Sequence, residues 1–291
     1  MTHMHGKEGI SATGAPGAGE TSGRRLTRRI LASVLLVLLS LVILCLPSPY
    51  VIETPGPTQD VLGRSGSNPV ISIKGARTYT GTGRLLLTTI NADGLPGSPV
   101  TNLETLVGWA NPKAMVMPKE AVIPQGQTLD EYRKQEASDM NGSQDAAAKA
   151  ALSFLRSRGY QTDGISIGMH VDDIGGPSAG MMYTLGAIDK LTPEDETGGK
   201  TIAGTGTIDA KGAIGPIGGI GLKLMGAKRD GATWFLAPKD NCKQVVGHVP
   251  EGLRDVRVET LDQAYDALVA IGQGRGGSLP HCMVDPGTET K

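Results

Sequence analysis

The chain has 291 residues, of which 39% are hydrophobic and 3% aromatic, and its formal net charge is −1. This length allows one or two modest domains with cores built from aliphatic side chains. The near-neutral charge, without a basic stripe or an aromatic platform, argues against a nucleic-acid-binding protein. The five histidines are scattered along the chain, so we predict neither a metal site nor a cofactor.

The N-terminal segment predicts a cytoplasmic tail followed by a membrane anchor. Residues 1–23 are rich in Gly, Ser and Thr, and an apolar run, Ile30–Leu46, follows a cluster of four arginines, Arg24, Arg25, Arg28 and Arg29. The run is at the short end of the range for a membrane span. By the positive-inside rule the arginines favour a cytoplasmic N-terminus, with the rest of the chain outside. We therefore predict a disordered tail over 1–29 and a single-pass signal anchor in the cell membrane over 30–49.

A cleaved signal peptide is the alternative for this segment. The small-residue pattern that a signal peptidase needs is poor around Leu46-Pro47-Ser48-Pro49. Cys45 follows two bulky residues, which argues against lipid attachment at its thiol. The sequence therefore favours an uncleaved anchor.

Residues 50–160 are predicted to form a small membrane-proximal extracytoplasmic α/β region. Val70–Ile73 and Arg84–Ile90 have the composition of strands. Residues 128–159 predict one or two helices, interrupted near Asn141-Gly142. Nothing in this region suggests chemistry of its own.

Trp109, in this region, has two alternative roles: a contact at an interface or packing in the core. Tryptophan is common at membrane and partner interfaces, because one edge is polar and the rest is apolar. Core packing is the more frequent role of such a side chain. We therefore predict that Trp109 packs in the core.

Residues 161–272 predict an α+β, or mixed α/β, domain, followed by a flexible tail over 273–291. The expected elements are a strand at 166–171, a helix at 179–191, a strand at 201–209, a helix from Ile220 to Gly231, strands at 233–237 and 256–259, and a helix from a capping box at Thr260 to Gly272.

Ser178 is the candidate nucleophile of this domain. It lies within Asp172-Asp173-Ile174-Gly175-Gly176-Pro177-Ser178-Ala179-Gly180, just ahead of the predicted helix. A serine among small residues at a helix start has an exposed hydroxyl and nearby free N–H groups. The backbone N–H groups of Ser178 and Gly176 are the candidate oxyanion donors, because Pro177 has none.

Lys223 is the candidate base. It occupies the apolar face of the second helix, in a stripe formed by Ile220, Lys223, Leu224 and Ala227. Its basic neighbours Lys228 and Arg229 lie off that stripe. A lysine on such a face can snorkel to the surface, but a buried one loses proton affinity and becomes a base near neutral pH.

These segments, within a stretch from Ile165 to Gly272, resemble the proteolytic domain of the Lon proteases. The family's serine lies in a Gly-Pro-Ser-Ala-Gly segment and its lysine in a Gly-Gly-x-x-x-Lys segment, which correspond to Gly176–Gly180 and Gly218–Lys223. The segment from Thr205 to Pro216 resembles the strand and turn before the lysine, which implies that the Thr205 hydroxyl supports Lys223. Two downstream segments, Leu236–Asn241 and His248–Pro250, resemble the family as well.

The chain departs from the cytoplasmic Lon enzymes at two points. Those enzymes have an Asp three residues before the serine, where this chain has Gly175, so Asp172 and Asp173 are the candidates for acidic support. The nearest match to a phosphate-binding loop has Glu194 where the first glycine is required. We therefore expect proteolysis without ATP.

The closer resemblance is to membrane-anchored, stand-alone Lon-like proteases, many of which have a PDZ domain before the protease domain. Here four residues separate Gly159-Tyr160 from Ile165-Ser166. Since these leave no room for a PDZ domain, we expect it to be missing.

The sequence thus predicts a serine endopeptidase that cleaves unfolded or flexible polypeptides outside the cytoplasm. The resemblance also implies a six-membered ring. One alternative is an α/β-hydrolase esterase, with Gly176–Gly180 as its nucleophile elbow and His248 or His281 as its base. Another is an inactive, membrane-anchored scaffold.

Three cysteines bear on the location of the domain. Cys45 lies in the predicted span, whereas Cys242 and Cys282 would lie outside the membrane. An oxidising exterior permits a bridge between these two. Two unpaired thiols are the alternative, and the sequence leaves both open.

Overall fold

The computed structural model describes residues 19–95, 97–123, 126–171 and 175–283. The mixed α/β class is confirmed. Its helices are α1 (Gly19–Cys45), α2 (Asn102–Ala110), α3 (Leu129–Ser157), α4 (Gly180–Leu191), α5 (Ile220–Arg229), α6 (Cys242–Val245) and α7 (Leu261–Gly272). Its strands are β1 (Tyr50–Asp60), β2 (Arg64–Ser65), β3 (Asn68–Pro69), β4 (Ile71–Lys74), β5 (Arg84–Asp93), β6 (Met115–Pro118), β7 (Ser166–Met169), β8 (Thr201–Gly204), β9 (Thr207–Ile208), β10 (Ile214–Gly215), β11 (Trp234–Pro238) and β12 (Arg254–Val258).

A six-stranded sheet in the order β12-β11-β8-β5-β1-β6 forms the centre of the domain. Strands β5, β8, β11 and β12 are parallel, and β1 pairs antiparallel with β5 and β6. Strands from residues 50–118 and from residues 201–258 therefore share one sheet. The boundary expected between residues 160 and 161 does not divide it, because β5 pairs directly with β8.

Helices cover both faces of this sheet. On β5, Leu85 and Leu87 face a core completed by α3, α4 and α7, whereas Leu86 between them faces a second core with α5 and α6. This alternation is the period-2 pattern of a strand that is buried on both faces. The serine segment lies at the start of α4, and the lysine lies on α5.

Helix α3 runs unbroken from Leu129 to Ser157. Thr128 begins it with a capping box, in which the Thr128 hydroxyl accepts from the N–H of Glu131. The interruption predicted near Asn141-Gly142 is absent. The reason is tertiary packing: the apolar face of α3 lies against α4 along much of its length.

Residues 273–283, predicted as part of a flexible tail, pack against β12. The N–H of Arg257 donates to the carbonyl of Pro280, and the N–H of Cys282 donates to a carboxylate oxygen of Asp255. A disulfide joins Cys282 to Cys242, so the bridged alternative is the one observed.

Helix α1 is long and apolar enough over Gly23–Cys45 to cross a membrane, and a signal sequence near the N-terminus would show the same character. Trp109 on α2 is 57% exposed. The prediction of core packing for Trp109 is therefore wrong. Its helix buries Thr105 and Gly108 instead.

Candidate active site

Ser178 lies in a short 3₁₀ turn, Pro177–Ala179, that leads into α4. The turn is fixed from two sides: the Ser143 hydroxyl on α3 donates to the carbonyl of Pro177 at 3.0 Å, and the N–H of Gly206 donates to the carbonyl of Ser178 at 2.8 Å. Gly176 precedes the turn with φ of 81°, a left-handed conformation that favours glycine. The loop glycine of the sequence motif is thus a backbone requirement.

The side chain of Lys223 approaches Ser178 from α5. It is only 3% exposed, and its Nζ lies 2.8 Å from Ser178 Oγ and 3.1 Å from Thr205 Oγ1. The inward position predicted from the apolar stripe therefore places the amine in contact with both hydroxyls. Lys228, one turn further along, lies against Gly252 instead.

Thr205 connects the lysine with the serine backbone. Its side chain is fully buried, and its Oγ1 donates to the carbonyl of Ser178 at 3.1 Å. Since the single hydroxyl proton is used in that bond, Oγ1 offers a lone pair to Lys223 Nζ. This arrangement orients the amine toward Ser178 Oγ.

Burial changes the protonation of Lys223. Desolvation lowers the pKa of its amine to about 8, and the nearby carboxylate of Glu53 acts in the opposite direction. The pKa of Glu53 is itself raised by burial, an effect that Lys223 partly offsets. At a pKa of about 8, about a tenth of the amines are neutral at pH 7, and this fraction, which can act as a general base, grows as the pH rises.

Glu53 is a residue of the site that the sequence analysis missed. It lies on β1, more than 100 positions before the serine, and is 7% exposed. The sequence shows no alternation at this point, because Tyr50, Val51 and Ile52 are all apolar. The inward position of Glu53 emerges in the structure, where it alternates with the buried Val51 along β1. A charged residue at such a position is typical of a functional site.

Ser178 and Lys223 open into a cleft of about 620 Å³. Strands β1 and β5 form one wall, and the serine turn and α3 form another, with Glu53, Thr58, Ile90, Tyr132 and Glu136 among the lining residues. A cleft of this size accommodates several side chains of an extended peptide.

The predicted oxyanion donors are in different states. The N–H of Gly176 donates to the carbonyl of Glu136 over a long 3.4 Å, so a substrate oxygen would have to replace that carbonyl. The N–H of Ser178 lies in the 3₁₀ turn, beside the nucleophilic hydroxyl of the same residue. Asp172 and Asp173, the candidates for acidic support, lie outside the described residues.

The loop before α5 is held by a buried asparagine. The side-chain amide of Asn241 donates to the carbonyl of Ile217 at 2.8 Å, and its oxygen accepts from the N–H of Ile217 at 3.0 Å. Gly218 and Gly219 then lead directly into the helix of Lys223. In the sequence, Asn241 is visible only as the end of a segment that resembles the family, and its role emerges from these two bonds.

Comparison with known proteins identifies this domain. Residues 140–270 match the family model of the Lon protease (S16) C-terminal proteolytic domain. Those residues form a Lon-type proteolytic domain. The resemblance inferred from the serine, threonine and lysine segments is thereby confirmed, and the matched stretch begins within α3, earlier than the boundary expected at residue 161.

The chain is similar to several proteins named Lon protease. The chain is 37% identical to Lon protease 2 of Herpetosiphon aurantiacus over 131 residues, which cover 40% of this chain and 16% of that protein. It is 34% identical to Lon protease 1 of Bacillus subtilis over 138 residues, which cover 42% of this chain and 18% of that protein. The matched part of the chain thus spans less than a fifth of the length of these relatives.

Proposed function

We propose that this chain is a membrane-anchored serine endopeptidase that cleaves flexible polypeptides outside the cytoplasm without ATP. The observation that carries the proposal is the 2.8 Å contact between Lys223 Nζ and Ser178 Oγ at the wall of the cleft. A Lon-type proteolytic domain over residues 140–270 agrees with it.

The chemistry begins with the neutral form of Lys223. Its Nζ accepts the hydroxyl proton of Ser178 while Oγ attacks the carbonyl carbon of the scissile peptide bond. The resulting ammonium returns the proton to the leaving amine, which gives an acyl-enzyme. Lys223 then activates water for hydrolysis of the ester, and Thr205 keeps the amine directed at Oγ throughout.

The backbone N–H groups of Ser178 and Gly176 stabilise the negatively charged oxygen of the tetrahedral intermediate by donating hydrogen bonds to it. An oxyanion donor of this kind contributes about 10²–10³ in rate. Because Gly176 donates to Glu136 in the structure, substrate binding exchanges one carbonyl acceptor for another. The turn therefore adjusts when the substrate carbonyl arrives.

The location rests on two features. Four arginines before the apolar helix favour a cytoplasmic N-terminus. The disulfide between Cys242 and Cys282 supports an oxidising compartment for the protease domain. Both point to a domain outside the membrane, with α1 as its anchor.

Independence from ATP is supported by Glu194, which occupies the place of a required glycine in the nearest match to a phosphate loop. Substrates must then be flexible before they enter the cleft. By resemblance to the Lon family, we propose that the domains assemble into a six-membered ring.

The esterase alternative receives less support from the geometry. His248 Nδ1 lies 3.3 Å from the carbonyl of Val246, and His281 Nδ1 lies 3.0 Å from the carbonyl of Cys282. Neither histidine lines the cleft. The inactive-scaffold alternative does not account for the close contacts of Lys223 with Ser178 and Thr205.

Labelling of the full chain with a fluorophosphonate probe tests the proposal. We expect labelling of the wild-type chain, none of Ser178→Ala, and a severe loss in Lys223→Arg, because a guanidinium stays protonated. Lys228→Ala is the matched control and should label normally. Full labelling of Lys223→Arg, or labelling that depends on His248, would favour the esterase over the lysine-dependent endopeptidase.

A further inference from the structure

Helix α2 exposes its large apolar side chains and buries its small ones. Thr105 and Gly108 face the sheet, whereas Leu103, Leu106 and Val107 on the opposite face are 50%, 48% and 60% exposed. A helix on the surface of a soluble domain shows the opposite arrangement. A contiguous exposed apolar face of this kind marks a contact with a membrane or a partner.

The α2 helix is joined to the end of the apolar helix α1. The backbone N–H of Asn102 donates to the carbonyl of Leu46 at 3.0 Å, and its side-chain amide donates to the carbonyl of Ile43 at 2.9 Å. Pro47 and Thr101 form an antiparallel bridge beside these bonds. Helix α2, with its exposed apolar face, therefore begins where the apolar helix α1 ends.

The length of the apolar run sets the depth of this junction. At 1.5 Å per residue, Ile30–Leu46 covers about 25 Å, whereas the hydrocarbon core of a bilayer is about 30 Å thick. A span this short keeps Leu46 at the hydrocarbon boundary. Since Asn102 is bonded to Leu46, the first turn of α2 lies at the same depth.

Trp109 has the character of a residue at that boundary. Its ring packs edge-on against Tyr50, with the centroids 5.3 Å apart, yet more than half of the side chain is exposed. Tryptophan and tyrosine are enriched at membrane–water interfaces, where their amphipathic rings lie at the level of the headgroups. The pair therefore fits a lipid environment better than open water.

We propose that α2 is an interfacial helix whose exposed face, Leu103, Leu106, Val107 and Trp109, docks the protease domain onto the bilayer that α1 spans. This inference rests on the membrane anchor of the proposed function. A second copy of the chain is the less favoured occupant, because four side chains cover much less than the roughly 800 Å² per partner of a standard protein interface.

Tryptophan fluorescence of the full chain in phosphatidylcholine–phosphatidylglycerol vesicles tests the docking. The chain has two tryptophans, so Trp234→Phe leaves Trp109 as the emitter. We expect blue-shifted emission, strong quenching by lipids with a doxyl group near the headgroup, and weak quenching by aqueous acrylamide. The matched control is Trp109→Phe. The remaining Trp234 lies in the protein domain beside Arg254, so doxyl lipids should not quench its fluorescence.

A charge on the docked face should release it. Val107→Glu should abolish doxyl quenching of Trp109, whereas Met283→Glu, a change at an equally exposed apolar residue outside α2, should leave it intact. A chain that resists carbonate extraction while Trp109 is reached by acrylamide and not by doxyl lipids would overturn the docking and leave the anchor standing. A blue shift that depends on protein concentration and not on lipid would assign the face to a second copy.

The anchor and the activity have separate readouts. A chain that carbonate extracts from the vesicles would contradict the anchor and the docking together. Fluorophosphonate labelling of Ser178 reports the proposed chemistry independently of either, because the cleft does not include any residue of α2.

Discussion

The side chain of Asn241 binds both backbone polar groups of Ile217, at 2.8 Å and 3.0 Å. Ile217 begins the short loop that leads into the helix of Lys223. Asn241 is 2% exposed, so its removal leaves both polar groups of Ile217 without their protein partner inside the domain. The position of the proposed base is thereby tied to a residue that comes after it in the chain.

We expect Asn241→Ala to lower both stability and turnover. An unsatisfied buried backbone group costs about 1–3 kcal/mol, so the thermal midpoint should fall by several degrees. The loop before α5 gains freedom, and kcat should fall about tenfold as Lys223 loses its alignment. Thermal melts and peptidase assays measure the two effects.

Gln244→Ala is the matched control for that change. Its side-chain oxygen accepts from the same amide of Asn241 at 2.8 Å but does not touch Ile217, and it is exposed. We expect it to be nearly silent. If Asn241→Ala is destabilised while kcat and its pH profile are those of the wild type, Asn241 supports the fold alone and does not position the lysine.

The pH dependence of activity should report Lys223. Since burial lowers the pKa of the amine to about 8, the neutral fraction, and with it kcat/KM, should rise across the pH range around that value. Free lysine would place this rise above pH 10. An activity that is flat between pH 6 and 9.5, or that rises only above pH 10, would contradict a buried lysine base.

Glu53→Gln should shift that profile to lower pH. The Glu53 carboxylate raises the pKa of Lys223, so its neutral replacement lets desolvation lower the pKa further. The rise of kcat/KM with pH should therefore occur at lower pH, whereas the control Glu251→Gln, at an exposed site, should leave the profile unchanged. A shift toward higher pH, or none, would show that Glu53 does not act on the lysine.

The hydroxyl of Thr205 should matter more than its methyl group. Thr205→Val keeps the shape but removes the bonds to Ser178 and Lys223, and a net loss of about 0.5–1.5 kcal/mol per bond corresponds to a fall in kcat of about tenfold. Thr205→Ser should restore most of the rate, because it keeps the hydroxyl.

Thr184→Val controls for the burial of a threonine without its hydroxyl. Thr184 lies on α4, is fully buried, and donates to the carbonyl of Gly180 at 2.9 Å. It should lose stability without losing turnover per folded molecule. Equal activity losses in Thr205→Val and Thr184→Val would show that Thr205 is structural.

The local part of the site could be predicted from the sequence. The glycines around Ser178 and the helical stripe that includes Lys223 are short-range patterns, and α4 and α5 form where those patterns predict them. Burial of the lysine follows from the same stripe. The contact between the two residues required only the order of segments seen in the Lon family.

The long-range part could not be predicted. Glu53 reaches the lysine because β1 pairs with β5 and α5 packs beside both strands, and neither pairing leaves a periodic signal in the sequence. The sequence predicts Trp109 in the core because core packing is the more frequent role of such a side chain, but its helix has only small residues on the face that meets the sheet. In both cases tertiary contacts decided what local pattern could not.

Reduction of the disulfide should weaken the domain without removing the site. The bridge between Cys242 and Cys282 closes a loop across a sequence separation of 40, which corresponds to at most about 4 kcal/mol of stability in the chain-entropy treatment. We therefore expect a reducing agent, or the double change Cys242→Ser and Cys282→Ser, to lower the thermal midpoint by many degrees. Ser178 should still label at low temperature, because neither cysteine bonds to Ser178 or Lys223.

A thiol count checks the bridge. Cys242 and Cys282 are buried, so the count is made in denaturant, where maleimide should modify only Cys45 before reduction and all three cysteines after it. The control Cys45→Ser should melt like the wild type with and without the reductant. Three reactive thiols in chain purified from membranes would show that the domain does not fold in an oxidising compartment, and the proposed location would fail with the bridge.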